Sequence, residues 1–326
     1  MYINVEKGGN LYLASNDDRA KLSGMTIISG SSSVTLDQLN DFKSFKLLSN
    51  QLTIHSNLDL AVGANLKGYL YATTAIQADD ETFDVRVVNG PQVLTRNSDS
   101  STTVILNTQF LNASPYYDPD KTTLVTGIRQ FRKTPINFHY GIPGFDWQYK
   151  TSNQFFENPQ PIELFDDQGT LQENMIFFES VEPMQINLPY WYITADGSFS
   201  LNMDSTSNNE NIHKTNSTNT TGVFILNDIW MDQYVNFVTD STRKGYSGVL
   251  VNVDLTDGAC ITFNNAVNGG ADFQRCFDAN NKIVHGQFST NVIPKSLLIT
   301  HKNYKPGTLY CQYFVYRLKL KQPLLP

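Results

Sequence analysis

The sequence predicts an all-β protein, and three observations favour this class. Residues that form helices well are scarce, because the 326-residue chain contains 32 Asn against 16 Lys, 13 Ala and 8 Glu. Turn pairs follow alternating segments at Asn89-Gly90, Asp196-Gly197 and Asp257-Gly258. Strand-like segments recur at a spacing of roughly 8–12 residues. This composition excludes a helical bundle and a coiled coil.

Each of the three turns is predicted to close an antiparallel hairpin, since Asn-Gly and Asp-Gly supply the positive φ angles of tight turns. The paired segments are Thr82–Val88 with Gln92–Arg96, Tyr190–Thr194 with Ser198–Met203, and Val249–Leu255 with Ala259–Phe263.

The consecutive aromatics Tyr190, Trp191 and Tyr192 cannot all face one side of a strand. Their strand is therefore predicted to be buried on both faces, or to place one face in an interface.

Further strands are predicted along the whole chain, at Met25–Ser29, Phe45–Leu48, Leu52–His55, Tyr69–Thr73, Thr102–Leu106, Thr122–Thr126, Asn137–Tyr140, Met175–Ser180, Met184–Leu188, Gly222–Leu226, Lys282–Phe288, Ser296–Thr300 and Thr308–Lys321. Three short helices are predicted, at Val34–Phe45 with Ser33 as its N-cap, at Asn227–Val238 and at Asp272–Ala279.

This number of strands, near twenty, is about twice what one eight-stranded jelly roll uses, so two sandwiches are expected. The predicted division is an N-terminal segment, residues 1–24, followed by sandwiches at 25–175 and 176–326. Residues 202–221 form a polar, Asn-rich segment with few large hydrophobic residues, and they are predicted to be an exposed loop between strands.

The hydrophobic and charge patterns exclude several classes. Aromatic residues make up 12% of the chain, which argues against disorder. No apolar run exceeds four residues, and the first residues lack the pattern of a secretory signal, so neither a membrane span nor a leader is expected.

The net charge of −7 disfavours a general nucleic-acid binder, and no sequence-specific nucleic-acid partner is expected. It divides into +7 for residues 282–326 and −14 for the remainder. The basic segment is either a set of solvated lysines or a surface that contacts acidic neighbours or anionic lipid.

No chemical motif is found. The three cysteines, Cys260, Cys276 and Cys311, form no C-x-x-C pair and are expected to be buried free thiols. Pairing of Cys276 with His285, or of Cys311 with His301, as nucleophile and base has no support from spacing. The sequence thus predicts no enzyme, no catalytic, cofactor-binding or metal-binding residue, and no cofactor.

The remaining polar and aromatic clusters have ordinary explanations. Acidic pairs are typical of turns, and the fragment Asp118-Pro-Asp120 lacks the rest of a calcium loop. Glycosylation sequons begin at Asn112, Asn216 and Asn219 and are interpreted as chance matches. Loop aromatics, among them Tyr116-Tyr117 and Phe145–Tyr149, either contact partners or sugars or close the ends of a sandwich.

Taken together, two sandwiches, a polar loop at 202–221, many aromatics and no catalytic motif resemble the double jelly-roll major capsid proteins of tailless icosahedral, membrane-containing bacteriophages. This resemblance implies two antiparallel eight-stranded jelly rolls with a few short helices. It also implies a viral structural protein that forms homotrimers, then pseudo-hexameric capsomers of an icosahedral shell.

The resemblance further implies a location in the virion after assembly in the host cytoplasm. Expected partners are copies of the chain, other capsid proteins, and a lipid membrane reached by the basic segment. The alternative is a receptor- or carbohydrate-binding β-sandwich protein, such as a spike head or a lectin-like module.

Overall fold

The structure, a computed structural model of the chain, confirms the all-β class. It describes all residues except 41–43, 60–65, 110–121, 131–134, 145–152, 159–161, 166–170, 176–179, 206–212, 215–219, 227–232, 239–245, 255–259, 266–272, 277–282, 291–293, 301–307 and 317–326.

The strands lie along the whole chain. They are β1 (Tyr2–Asn4), β2 (Asn10–Ala14), β3 (Met25–Ser29), β4 (Ser32–Thr35), β5 (Phe45–Lys46), β6 (Gln51–Ser56), β7 (Tyr69–Ala72), β8 (Phe83–Val88), β9 (Gln92–Arg96), β10 (Ser101–Asn107), β11 (Thr123–Gln130), β12 (Ile136–Tyr140), β13 (Gln154–Asn158), β14 (Ile162–Phe165), β15 (Leu171–Met175), β16 (Ser180–Ile186), β17 (Tyr190–Ala195), β18 (Phe199–Asp204), β19 (His213–Lys214), β20 (Thr220–Leu226), β21 (Gln233–Val238), β22 (Tyr246–Asp254), β23 (Cys260–Asn265), β24 (Phe273–Cys276), β25 (Ile283–Thr290), β26 (Pro294–Thr300) and β27 (Thr308–Tyr316).

The described helices are short and belong to the N-terminal part of the chain. They are α1 (Arg19–Ser23), α2 (Leu36–Leu39) and α3 (Ala75–Asp79). Asp18 is the N-cap of α1, and its side chain accepts a hydrogen bond from the backbone amide of Ala20. In α3, Thr74 and Gln77 form a reciprocal capping box.

Six sheets contain these strands. Sheet A has the order β1-β6-β3-β4, and sheet B has the order β5-β2-β7. Sheet C is β13-β12-β17-β10-β8, sheet D is β25-β22-β27-β20-β16-β11-β18-β9, sheet E is β14-β15, and sheet F is β19-β21-β26-β23-β24. Most pairs are antiparallel, but β8 with β10, β16 with β20, and β19 with β21 are parallel.

Sheets A to D pack face to face through three successive cores. Leu11 and Leu13 of sheet B, with both first helices, pack toward Ile27 and Leu52 of sheet A. The second core joins sheet B to one face of sheet C, and the third joins the other face of sheet C to sheet D. Sheet C is therefore an inner layer, buried on both faces.

Strands β10 and β17 confirm the predicted double burial. All seven residues of β10 are buried. On β17, Trp191 packs in the core shared with sheet D, while Tyr192 packs in the core shared with sheet B. Tyr190 is 39% exposed at the start of the strand.

The three predicted hairpins are wrong, although their strands are present. Strand β8 lies in sheet C and β9 in sheet D, β17 and β18 divide in the same way, and β22 and β23 lie in sheets D and F. Gly90 has a positive φ of +94°, as its turn pattern predicts. Residues 89–91 and 196–198 carry the chain from one sheet to another, while the turn predicted at Asp257-Gly258 lies outside the described residues. In none of the three cases are the two flanking strands hydrogen-bonded neighbours.

Two predicted helices are also wrong. Within 227–238 and 272–279 the described residues form strands β21 and β24, while residues 227–232, 272 and 277–279 lie outside the described residues. Strand β21 pairs with β26 over four residues. The aromatic spacing at Trp230, Tyr234 and Phe237 fits a helix, but sheet pairing overrides this local pattern. Of the first predicted helix, Val34–Phe45, the described residues contain only α2, capped by Thr35 and not by Ser33, and residues 41–43 lie outside the described part of the chain.

The predicted domains, 1–24, 25–175 and 176–326, remain a prediction. Strand pairs join residues on both sides of position 175, since β10 pairs with β17 and β11 pairs with β18. Of the predicted loop 202–221, residues 202–204 belong to β18, and 206–212 and 215–219 lie outside the described residues.

Candidate functional site

A cleft of about 400 Å³ lies on sheet D, on strands β11 and β18. It is lined by Gly127, Ile128, Arg129, Ser200 and Asn202. The volume falls within the range of roughly 300–1,000 Å³ that is typical of small-molecule sites. We treat this cleft as the candidate site and call it the β11–β18 cleft.

A β-bulge at Thr126 determines which side chains reach the cleft. Val125 pairs with Met203 and Gly127 pairs with Asn202, so Thr126 is the extra residue on β11. Val125 belongs to the core between sheets C and D, and Ile128 packs against the same core. If these residues, Thr126 included, formed a regular strand without a bulge, strict alternation from Val125 would turn Arg129 toward that core. The bulge therefore directs Ile128 inward and Arg129 outward.

Gly127 leaves room for the side chain of Asn202. A Cβ atom built at Gly127 would lie 3.1 Å from Nδ2 of Asn202, closer than most such contacts. The floor of the cleft is thus backbone, with the Asn202 amide beside it. A glycine inside a strand pattern is the one sequence signal that points to a bulge or a close approach here.

Neighbouring contacts fix the strands that form the cleft. At the end of β11, the side-chain amide of Gln130 donates a hydrogen bond to the backbone carbonyl oxygen of Asn158 on β13. This bond links sheet D to sheet C. On the other side of β18, Thr95 of β9 pairs with Ser200, and their hydroxyl oxygens are 3.4 Å apart.

The rim of the cleft is polar and carries one positive charge. Arg129 is exposed and forms no ion pair with another described residue. Ser200, Asn202 and Thr95 add neutral hydrogen-bonding groups. The adjacent Val93, which pairs with Asn202, is 64% exposed and adds an apolar surface. This set of groups can hold an anionic, hydroxyl-bearing ligand but offers no nucleophile with an adjacent base.

The cysteines contradict the expectation of three free thiols. Cys260 is disulfide-bonded and Cys311 is free. Since the chain has only three cysteines, Cys276 is the remaining candidate for the partner of Cys260. Their backbones are direct register partners on β23 and β24. Burial raises the pKa of the Cys311 thiol well above its ordinary value, so this group stays protonated.

The structure gives no support to the two cysteine–histidine pairs that were considered as nucleophile and base. Cys276 lies on sheet F, whereas His285 lies on β25 of sheet D. Cys311 is buried, and His301 lies outside the described residues. The histidine His139 is fully buried, and its Nε2 lies 2.9 Å from the Thr194 hydroxyl oxygen. Its ring stacks on Tyr192 at 4.5 Å, as a core residue would.

Several residues singled out in the sequence lie outside the described part of the chain. These are Asn112, Tyr116, Tyr117, Asp118, Asp120, Phe145–Tyr149, Asn216, Asn219, Lys282, Lys302, Lys305, Arg317, Lys319 and Lys321. Among the residues that are described, no group of three His, Cys, Asp or Glu side chains is placed to bind a metal ion.

Comparison with known proteins changes the functional assignment. A family model described as a transmembrane glycoprotein matches residues 6–324. No curated protein matches the chain. None of the described helices is long and apolar enough to cross a membrane.

The family match contradicts two expectations. The major-capsid function is wrong, and so is the location in a capsid assembled in the host cytoplasm, because the matching family is described as a transmembrane glycoprotein. Composition and strand count are shared by many β-sandwich proteins and do not separate capsid subunits from glycoproteins. Since the match extends over nearly its whole length, the chain belongs to this family of transmembrane glycoproteins.

Proposed function

We propose that residues 1–326 form a part of a membrane glycoprotein that lies outside the cytosol and acts in recognition, not in catalysis. The observation that carries the location is the Cys260 disulfide, because disulfides persist in oxidising compartments and are rare in the cytosol. The expected viral origin is kept within this proposal. In a virus, residues 1–326 would be displayed on the outer surface of the envelope.

The recognition role is supported by the make-up of the β11–β18 cleft. Its lining offers a guanidinium, an amide and a hydroxyl from Arg129, Asn202 and Ser200. Such groups orient a ligand through hydrogen bonds, whereas general acid–base work requires a group that gains and loses a proton near neutral pH. We therefore keep the expectation that the protein is not an enzyme.

The sequons acquire a different interpretation under this proposal. Asn112, Asn216 and Asn219 begin N-x-S/T sequences, which are glycosylation acceptors in an extracytoplasmic chain. Asn112-Ala-Ser is followed by Pro115, whereas the other two sequons end in Thr. We propose Asn216 and Asn219 as the acceptors, in place of the interpretation as chance matches.

We also propose that the chain contains two jelly rolls, placed differently from the predicted ranges. In a jelly roll, eight strands form two four-stranded sheets. When an accessory strand is counted as the first strand, one sheet has the order second, ninth, fourth, seventh, and the other has the order third, eighth, fifth, sixth. Strands β20 to β27 follow this order in sheets D and F, with β19 as the accessory strand. Strands β9 to β13 and β16 to β18 follow it in sheets D and C, with β8 as the accessory strand.

This repetition supports a boundary between β18 and β19, within the segment predicted to be an exposed loop. Each accessory strand runs parallel to its neighbour, β8 to β10 and β19 to β21. The N-terminal strands β1 to β7, which form sheets A and B, would then be an addition to the first roll.

Two expected partners are carried into the proposal. Self-association, including a homotrimer, is supported by exposed apolar residues away from the cleft, such as Tyr2 and Ile76. Contact of the basic segment 282–326 with anionic lipid is supported by its charge of +7. Light scattering after size-exclusion chromatography and vesicle flotation would test them separately.

The location is tested on the full chain expressed in a eukaryotic secretory system. We expect peptide mapping without reduction to give a Cys260–Cys276 cross-link, and glycosidase treatment to release glycan from peptides that contain Asn216 and Asn219. Variants Thr218→Ala and Thr221→Ala should each remove one site. Recovery of reduced Cys260 and unmodified asparagines from the mature protein would reject the proposed location.

A further inference from the structure

We infer that the β11–β18 cleft binds an acidic saccharide, with Arg129 as the group that pairs with the ligand's carboxylate. This inference deepens the proposed recognition role and rests on it. It follows from the positions of side chains on three adjacent strands, β11, β18 and β9.

Two transverse rows of paired residues form this surface. One row is Arg129, Ser200 and Thr95, and the other is Gly127, Asn202 and Val93. Because paired residues on neighbouring strands point to the same face, both rows face the same side of sheet D. The rows alternate with Ile128, Leu201 and Leu94, which face inward, and the latter two are at most 2% exposed.

The first row is suited to an anion with hydroxyl groups. A guanidinium presents N–H groups in a planar fork that matches a carboxylate in a bidentate arrangement. Arg129 has no ion-pair partner among the described residues, so this fork is not occupied by another side chain of that part of the protein. The hydroxyls of Ser200 and Thr95 continue the row with groups that both donate and accept hydrogen bonds.

The second row provides the recess of the cleft and an apolar surface that a ligand can contact. Gly127 has no side chain, and the Asn202 amide beside it offers a donor and an acceptor. Val93 is 64% exposed on β9, the last strand of sheet D. Sugar rings have both hydroxyl groups and an apolar C–H face, so the row matches both parts of such a ligand.

The ratio of groups favours a saccharide over an acidic peptide. One charged side chain stands among three neutral hydrogen-bonding side chains, Ser200, Asn202 and Thr95. An acidic peptide would be better matched by several cations, because each of its carboxylates needs its own partner. A single guanidinium with surrounding neutral groups fits one carboxylate on a ring that carries hydroxyls.

The test uses the purified full chain and isothermal titration with three probes. These are a tetrasaccharide of alternating glucuronic acid and N-acetylglucosamine, a neutral tetrasaccharide of N-acetylglucosamine, and a tetrapeptide with two glutamates. We expect the acidic saccharide to bind at least about tenfold more tightly than either of the other probes, a difference that weakens with salt.

Three variants connect this binding to the cleft. Arg129→Gln should weaken the acidic saccharide about tenfold and leave the neutral one unchanged. Gly127→Ala places a Cβ in the recess and should weaken both saccharides. Arg19→Gln is the matched control, because Arg19 is 71% exposed and lies on α1, in another part of the fold. Thermal unfolding of each variant checks that it is folded, and Arg129→Lys replaces Arg129→Gln if that variant fails this check.

Equal affinity for acidic and neutral saccharides would overturn the inference. So would preference for the peptide, unchanged affinity in Arg129→Gln, or no binding of the acidic saccharide at millimolar concentration. Each of these failures leaves the proposed location untouched, since the cross-link and glycan maps are measured without any ligand.

Discussion

The guanidinium of Arg96, on the edge strand of sheet D, lies 3.3 Å from the carboxylate of Asp84, on the edge strand of sheet C. Asp84 also pairs with Arg86 at 2.7 Å. Arg96 Nη2 donates hydrogen bonds to the carbonyl oxygens of Thr82 and Glu81, at 2.9 and 3.1 Å. These contacts join the two sheets along one side of their shared core.

Replacing Arg96 should therefore destabilise the protein. Its side chain is 13% exposed, so Arg96→Ala leaves two carbonyl oxygens and part of a carboxylate without their partner. We expect the free energy of unfolding to fall by about 2 kcal/mol, measured by urea denaturation. The matched control is Lys46→Ala, which removes a 2.9 Å pair with the exposed Asp79. That change should cost less than about 0.5 kcal/mol, and equal costs for the two variants would contradict the assigned role of Arg96.

The disulfide should contribute measurably to stability. It closes a loop of 15 residues, 261–275, and the loss of such a cross-link costs about 3 kcal/mol in the chain-entropy model. We expect Cys260→Ser to lower the free energy of unfolding by this amount and to abolish the effect of reducing agents. Cys311→Ala removes a buried free thiol, and its stability should still fall when reductant is added. Insensitivity of the wild-type protein to reductant would argue against the cross-link.

Stability should decrease at high pH because of buried tyrosines. Burial raises the pKa of Tyr69, Tyr71 and Tyr140 far above the ordinary value of 10.0. Their hydroxyls stay protonated in the folded state but ionise near pH 10 in the unfolded chain. Unfolding then releases protons, so stability is complete below about pH 10 and is lost as the pH rises further.

Urea denaturation between pH 8 and 11 measures this effect. We expect Tyr140→Phe to reduce the slope of stability against pH near pH 11 by about 1.4 kcal/mol per pH unit, the value for one proton. Tyr69→Phe should reduce the slope equally and also lower stability at pH 8, because the Tyr69 hydroxyl donates to the carbonyl oxygens of Pro189 and Asn107. An unchanged slope in both variants would refute this explanation.

Deletion of Thr126 tests which residue forms the bulge. Removing the extra residue lets Val125, Gly127, Ile128 and Arg129 pair in strict alternation with their present partners on β18, so that Ile128 still faces the core and Arg129 still faces outward. We expect the deletion variant to fold, with a free energy of unfolding within about 1.5 kcal/mol of wild type by urea denaturation. Deletion of Ile128 is the matched control, because it brings Arg129 to the inward position opposite Leu201, and it should cost more than about 3 kcal/mol or prevent folding. Equal costs for the two deletions would contradict the assignment of Thr126 as the extra residue.

The sequence predicts many of the strands, because they depend on local patterns, but it predicts helices at the positions of β21 and β24. Residues 25–29 match the predicted strand in both bounds, and the predictions at 102–106 and 137–140 fall short by one or two residues. The pairing of the strands is harder to predict, because it depends on residues that are far apart in the sequence. Asp196-Gly197 does occur at a turn, yet β17 pairs with β10 and β12, and β18 pairs with β9 and β11.

The candidate site was less accessible to sequence analysis for the same reason. Arg129 and Asn202 are 73 positions apart in the chain and meet only because β11 pairs with β18. The disulfide likewise depends on the register of β23 with β24. Only Gly127 carried a local signal, since glycine in a strand indicates a bulge or a close approach.

The parallel pair of β16 with β20 joins the two sets of strands that make up sheet D. This hydrogen-bonded ladder holds the two sets in one orientation, whereas a single peptide linker would let them rotate against each other. At this junction the backbone N–H of Asn187 donates a further hydrogen bond to the Ile225 carbonyl oxygen at 3.0 Å. A force applied to one half of sheet D would therefore load the hydrogen bonds between β16 and β20 in shear. The two halves of the sheet would move together and not about a hinge.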